Sequence, residues 1–181
     1  MANLRVTLDG KALKSLSDKK SNDVNPQYSP DGSQIVFRSY PKSGSTNAVI
    51  TMMNADGSNR QALSDPTGNA VNPAWSPDKG LIAYQSNLKS SSAVYVYQIS
   101  SKQTRQVTDT NAPTWTCNGS TMVYTSVVNG TAQLFQTAAP PIDAKPVNTA
   151  DASQLTGDNA TNQNPENFPA VEDASNRSKE K

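Results

Sequence analysis

Short runs of alternating character, broken by polar turns, recur along the chain, and no helical stripe does. The clearest run is 93–99. Val94, Val96 and a polar Gln98 fall on one side of it, and Tyr95, Tyr97 and Ile99 on the other. A period of two marks a strand. Around this run the pattern predicts a four-strand unit, with strand A at 72–76, strand B at 81–86, strand C at 93–99 and strand D at 104–108. The same unit fits 25–29, 34–39, 48–54 and 59–64. It fits again at 112–116, 121–127 and 132–137, with a last strand that cannot be placed before Thr156.

The breaks between runs have turn chemistry. In Ser29-Pro30-Asp31-Gly32 the proline sets φ near −65° and the glycine takes positive φ, so the chain reverses tightly. The stretch from Asn54 through Asp56-Gly57 to Asn59, then Asn118-Gly119 and Asn129-Gly130, are hairpin signals of the same kind.

The units repeat in sequence as well as in pattern. Val24-Asn25-Pro26-Gln27-Tyr28-Ser29-Pro30-Asp31 returns as Val71-Asn72-Pro73-Ala74-Trp75-Ser76-Pro77-Asp78, identical at six of eight positions. A weaker copy runs from Ala112 through Pro113 and Trp115 to Gly119, and a worn one lies at 164–169. A second marker precedes each copy: Leu16-Ser17, Leu63-Ser64, Val107-Thr108 and Leu155-Thr156, spaced 47, 44 and 48 residues apart. A period in the forties without helices predicts propeller blades of four strands. The expected fold is therefore all-β, a β-propeller of antiparallel blades with three complete repeats and partial blades at both ends.

The Asn72–Asp78 stretch and Ile50-Thr51-Met52-Met53-Asn54-Ala55-Asp56-Gly57-Ser58-Asn59 resemble the WD40-like propeller repeat of the TolB type, over roughly residues 3 to 168. The third repeat departs from it, with Thr116-Cys117-Asn118 in place of Ser-Pro-Asp. The resemblance implies a propeller that binds proteins, six-bladed in its typical form. It also implies a cell-envelope setting, periplasmic or extracellular, where such propellers dock a lipoprotein and an extended peptide.

The blade boundaries expected are 18–64, 65–108 and 109–156. A partial blade at 1–17 carries strands C and D (4–8 and 12–16), another spans 157–169, and a charged, disordered tail runs over 170–181. A propeller needs about four blades to close. A longer chain, a homodimer sharing one ring, or a composite fourth blade built from both ends would each supply the rest.

Composition narrows the function classes. Lys plus Arg is 16 against 15 acidic residues, a net charge of +1, so no broad nucleic-acid footprint exists. No apolar run is long enough for a spanning helix. Residues 1–10 hold Arg5 and Asp9 and no apolar core, so the start does not read as an export signal; the chain is either cytoplasmic or separated from its signal. Histidine is absent and Cys117 is the single cysteine. That removes His-dependent triads, thiolate metal cages and internal disulfides. No catalytic residue, metal or cofactor is expected. Leu, Val, Ile and Phe make only 30 of 181 residues, which suits short strands and long polar loops.

In an up-and-down blade, A–B and C–D turns share one rim, and B–C and D–A loops share the other. The second rim is longer and more polar, so binding is expected there. Asp18, Asp65, Asp109 and Asp158, each just after a Leu-Ser-type marker, form a candidate ring on it for a cation or a basic partner. The plainer account, that each caps its own turn, is the better supported. Tyr28, Trp75 and Trp115 share one repeat position and could make a stacking platform, but blade packing explains them more simply. Pro30, Asp31, Gly32, Pro77 and Asp78 read as turn formers, too widely separated for paired-carboxylate chemistry. Cys117 reads as a drifted turn residue. Asn118-Gly119-Ser120, Asn129-Gly130-Thr131 and Asn159-Ala160-Thr161 match the glycosylation pattern, as chance allows in so Asn-rich a chain.

The function expected is a non-catalytic scaffold that presents one rim to a protein or peptide. The alternatives are an accessory propeller of a serine peptidase carried elsewhere and a carbohydrate-binding propeller.

Overall fold

In a computed structural model of the chain, the described residues are 4–6, 13–17, 20–41, 46–89, 91–108, 110–117, 119, 121–138 and 152–156. They form three four-stranded antiparallel sheets and one two-stranded sheet, an open, partial propeller. The two-stranded sheet pairs β1 (Leu4–Val6) with β2 (Leu13–Ser15). Blade 1 is β3 (Ser21–Tyr28), β4 (Gln34–Pro41), β5 (Val49–Asn54) and β6 (Gln61–Ala62). Blade 2 is β7 (Ala70–Trp75), β8 (Leu81–Ser86), β9 (Ala93–Gln98) and β10 (Gln103–Thr108). Blade 3 is β11 (Asn111–Trp115), β12 (Thr121–Val128), β13 (Thr131–Ala138) and β14 (Ser153–Gln154). Each sheet keeps its strands in sequence order. The first strands lie innermost, β7 packing against both β3 and β11.

Alternation along the strands gives every blade two apolar faces. The face turned back toward the preceding blade carries large rings and the forward face smaller groups. Tyr84 stacks on Tyr95 with centroids 5.8 Å apart, and Tyr124 on Phe135 at 6.1 Å. Trp75, Ile82, Tyr84, Tyr95 and Tyr97 of blade 2 pack on Val36, Ile50, Met52 and Leu63 of blade 1. Met122, Tyr124 and Phe135 of blade 3 pack on Ala83, Val94, Val96 and Val107 of blade 2. On the back face of blade 1, Ile35, Phe37 and Met53 close on Leu16, beside the β1–β2 pair.

Strand A starts earlier than the sequence pattern suggests, because the ladder continues across a bulge. The register shifts between Val24 and Gln27, between Val71 and Ala74, and between Asn111 and Thr114. At each bulge the residue before proline is left-handed: Asn25 (φ 53), Asn72 (φ 51) and Ala112 (φ 48). Asparagine tolerates that region and alanine does not. The repeated Asn-Pro pair is thus the signature of a bulge. Strand D of blade 1 is correspondingly shorter than expected, because Asn59 is left-handed (φ 55). The missing last strand of the third repeat is β14. The worn copy at 164–169 lies outside the described residues.

The Leu-Ser-type marker latches strand D onto strand C. Leu63 N–H donates to Ile50 O at 2.8 Å while Ser64 Oγ accepts the Ile50 N–H at 2.9 Å. Blade 3 repeats this: Leu155 N–H donates to Leu134 O at 2.7 Å, and Thr156 Oγ1 accepts the Leu134 N–H at 3.0 Å.

One ion pair is sunk into the back face of blade 1. Asp23 is 1% exposed. Arg60 Nη1 and Nη2 meet its two oxygens at 2.8 and 2.6 Å, Nη2 also reaches Ser21 and Ser39, and Cζ sits 4.7 Å over the Phe37 ring. Burial pushes the Asp23 carboxyl up, but hydrogen bonds from Arg60, Ser39 and Ser17 outweigh it and hold the group below its ordinary value.

Two outcomes follow. Replacing Ala112 by Gly removes left-handed strain and is expected to stabilise the chain by about 1 kcal/mol, read as a rise in urea midpoint. For Asp23, the lowered folded value means its contribution is whole above the unfolded pKa of about 3.9 and is lost as pH falls through the folded value. Wild type should therefore lose melting temperature below about pH 4. Asp23→Asn should start lower and show a flatter acid limb; an unchanged limb would contradict the assignment.

Candidate functional site

The A–B turns are built from side chains that close the loop on itself. Ser29 Oγ donates to Asp31 Oδ1 at 2.7 Å and accepts the Gln34 N–H at 3.0 Å, while Gly32 N–H (φ 70) donates to Ser29 O at 2.8 Å. In blade 2, Ser76 Oγ donates to Asp78 Oδ1 at 2.6 Å and accepts the Leu81 N–H at 2.9 Å. Blade 3, with Thr116 at the serine position, keeps a hydroxyl bond and the backbone bond: Thr116 Oγ1 donates to Thr121 O at 3.0 Å, and Gly119 N–H donates to Thr116 O at 2.9 Å. Lys79 reaches from the second turn to Asp31 in the first, and the two turns are tied by this ion pair. The Asp31 carboxyl lies well below its ordinary value because Lys79, Ser29 and Ser33 donate to it; Asp78 is lowered chiefly by Ser76.

These turns place three repeat positions from each blade around one groove of about 650 Å³. Gln27, Ala74 and Thr114 form one row, Tyr28, Trp75 and Trp115 the next, and Pro30, Pro77 and Cys117 the third, with Thr116 completing the wall. None of the ten is charged, so the lining is neutral and mostly apolar. Exposure grades across the aromatic row. Trp75 is 9% exposed, packed into the core between blades 1 and 2, whereas Tyr28 is 53% exposed. Tyr28 points to the back of blade 1, where no first strand precedes it among the described residues. Trp115 is half-buried, and its Nε1–H donates to Ala74 O of the neighbouring blade at 3.1 Å. Cys117 is exposed and free.

The structure treats the acidic positions separately. Asp65 is exposed; its carboxylate accepts the Thr67 N–H at 2.8 Å and the Thr67 hydroxyl at 2.6 Å, which hold it below its ordinary value. That is a turn cap. Asp18, Asp109 and Asp158 lie outside the described residues. The groove lies on the rim of the A–B turns, opposite the rim that loop length favours. Its aromatic row was visible in the sequence as a repeated position. What joins the three rows into one concavity is the side-by-side packing of β3, β7 and β11, which no local pattern encodes.

The sequence profile of the TolB beta propeller domain matches residues 8–170. No curated protein matches the chain in sequence. Among solved structures, TolB from Acinetobacter baumannii superposes with a TM-score of 0.64 at 16% identity, covering 85% of this chain and 37% of that one. Oligogalacturonate lyase from Vibrio parahaemolyticus gives 0.61 at 19% identity, covering 84% and 41%. A prolyl endopeptidase gives 0.59 at 13% identity, covering 82% and 25%. The chain thus spans about two fifths or less of the length of these three structures, and at such identities the likeness is one of fold.

The graded exposure gives a direct test. Trp115→Phe removes the bond to Ala74 O and is expected to lower stability by about 1 kcal/mol. Tyr28→Ala, at the exposed end of the row, is expected to leave the urea midpoint nearly unchanged. The reverse order would show that the row does not pack as described.

Proposed function

The chain belongs to the TolB beta propeller domain family, and from that premise we propose that it is a non-catalytic scaffold that holds a protein or peptide segment in the aromatic groove. The observation that carries this is the lining itself. Nine of its positions repeat three residue sites from three blades, and none is charged. Such a wall offers contact area and stacking, with the hydroxyls of Thr114 and Thr116 and the amide of Gln27 as orienting groups. It offers no acid–base pair to a bound substrate, and its one thiol, Cys117, has no neighbouring base in the lining. An extended segment laid across the ends of β3, β7 and β11 meets each blade in turn, and its backbone can use the same polar groups irrespective of sequence.

The single cysteine makes the test site-specific. Peptides are selected from a random library on the wild-type chain, and their affinity is compared before and after Cys117 is alkylated with a bulky maleimide; oligogalacturonate is titrated in parallel, with tryptophan emission as readout. The proposal expects alkylation to weaken the selected peptides tenfold or more, with a Cys117→Ser chain indifferent to the reagent. Peptides that bind the alkylated chain equally well, or a sugar that quenches Trp115 while no peptide binds, would overturn it.

A further inference from the structure

The repeat supplies an internal control that singles out Arg38. Every first strand carries the bulge described above, and blade 2 supports the bulge of blade 3 through Gln85. Its Oε1 accepts the Ala112 N–H at 3.2 Å, and its Nε2 donates to Ser92 Oγ at 2.8 Å, which is bonded in turn to Asn111. Arg38 holds the same place in blade 1. It pairs with Val24 and Ile50 as Gln85 pairs with Val71 and Val94, and β4 packs on β7 as β8 packs on β11.

A guanidinium accepts no hydrogen bond, so Arg38 cannot give the Asn72 N–H what Gln85 gives Ala112. Its own needs are also half met. Nη2 donates to the Tyr40 hydroxyl and Cζ lies 5.2 Å over the Tyr40 ring, but Nε is buried without an acceptor. Among the described residues, no carboxylate lies within ion-pair distance of it. A half-buried cation in the place where the next blade presents an acceptor, with no carboxylate beside it among the described residues, is unfavourable. Departures of this kind from a repeated structural device are where binding sites are expected.

We propose that Arg38, on the side of blade 1 that packs on blade 2, anchors a carboxylate-binding site. A carboxylate is planar and has two acceptor oxygens that match the guanidinium fork, and it leaves lone pairs for the bulge amide. A single positive charge balances a monoanion, whereas a phosphate dianion would remain half-compensated. A small organic acid and the acidic side chain of a partner present the same group. The proposal is independent of the peptide groove at the A–B rim.

The test uses the full chain with sodium acetate as probe, against sodium chloride at equal ionic strength. Acetate is expected to raise the melting temperature by a few degrees and to move the ¹⁵N-detected Nε–H resonance of Arg38. Arg38→Gln restores the acceptor found in blade 2, so it is expected to melt above wild type in chloride and to gain nothing from acetate. A peptide with blocked termini and one glutamate separates the sources: if it moves the same resonance the site admits a partner's side chain, and if acetate alone does, it takes small acids. An Arg38 resonance unmoved by acetate, or equal gains in wild type and Arg38→Gln, would overturn the proposal.

Discussion

No blade of this protein can bury its own surface. A four-stranded sheet with strict alternation has two apolar faces and nothing of its own to cover them. In blade 2, Ile82, Tyr84, Tyr95 and Tyr97 point one way and Ala83, Val94 and Val96 the other, and all are nearly inaccessible to solvent. Each large ring removed from water is worth roughly 2 kcal/mol, and that gain exists only when the next blade is in place. Stacking of face on face is therefore the constraint from which the rest follows. The large-back, small-forward pattern fits adjacent blades together, and the inward first strands bring equivalent positions side by side.

The polar motifs serve that stacking by accounting for backbone groups that the apolar faces cannot satisfy. Asn-Pro sets the bulge, Ser-Pro-Asp closes the A–B turn on its own hydroxyl, and Leu-Ser latches strand D to strand C. The third blade shows what remains when the motif erodes. Ala112 bears a left-handed conformation without the asparagine that tolerates it, and the turn at Thr116 keeps its hydroxyl bond without the aspartate. The blade survives because its ring pair, Tyr124 on Phe135, still docks on blade 2. Packing outranks turn chemistry here.

What the sequence made legible was local. Turn types, alternation and the period in the forties depend on residues a few positions apart, so strands and blades could be read directly. The start of strand A was hidden by the bulge, because a left-handed Asn25 or Asn72 looks like a strand boundary. Asp23 and Arg60 are not legible as a pair because they are separated by 37 residues and meet only through the sheet. The groove was half legible. Its aromatic row is legible as a repeat, with blade packing the simpler account and a stacking platform the alternative. Trp75 packs between blades, and Tyr28 stays exposed because no earlier first strand covers it among the described residues. Of the four aspartates, the exposed Asp65 accepts two bonds from Thr67 within its own turn.

The central claim is that the blades hold together by stacking and therefore lose structure together. Each tryptophan reports one interface, Trp75 between blades 1 and 2 and Trp115 between blades 2 and 3. Urea unfolding of Trp75→Phe followed through Trp115, and of Trp115→Phe followed through Trp75, should each coincide with the circular-dichroism transition of the same variant. Two separated transitions within one variant, one at each interface, would mean that blades fold as independent units and that stacking is not what holds the structure.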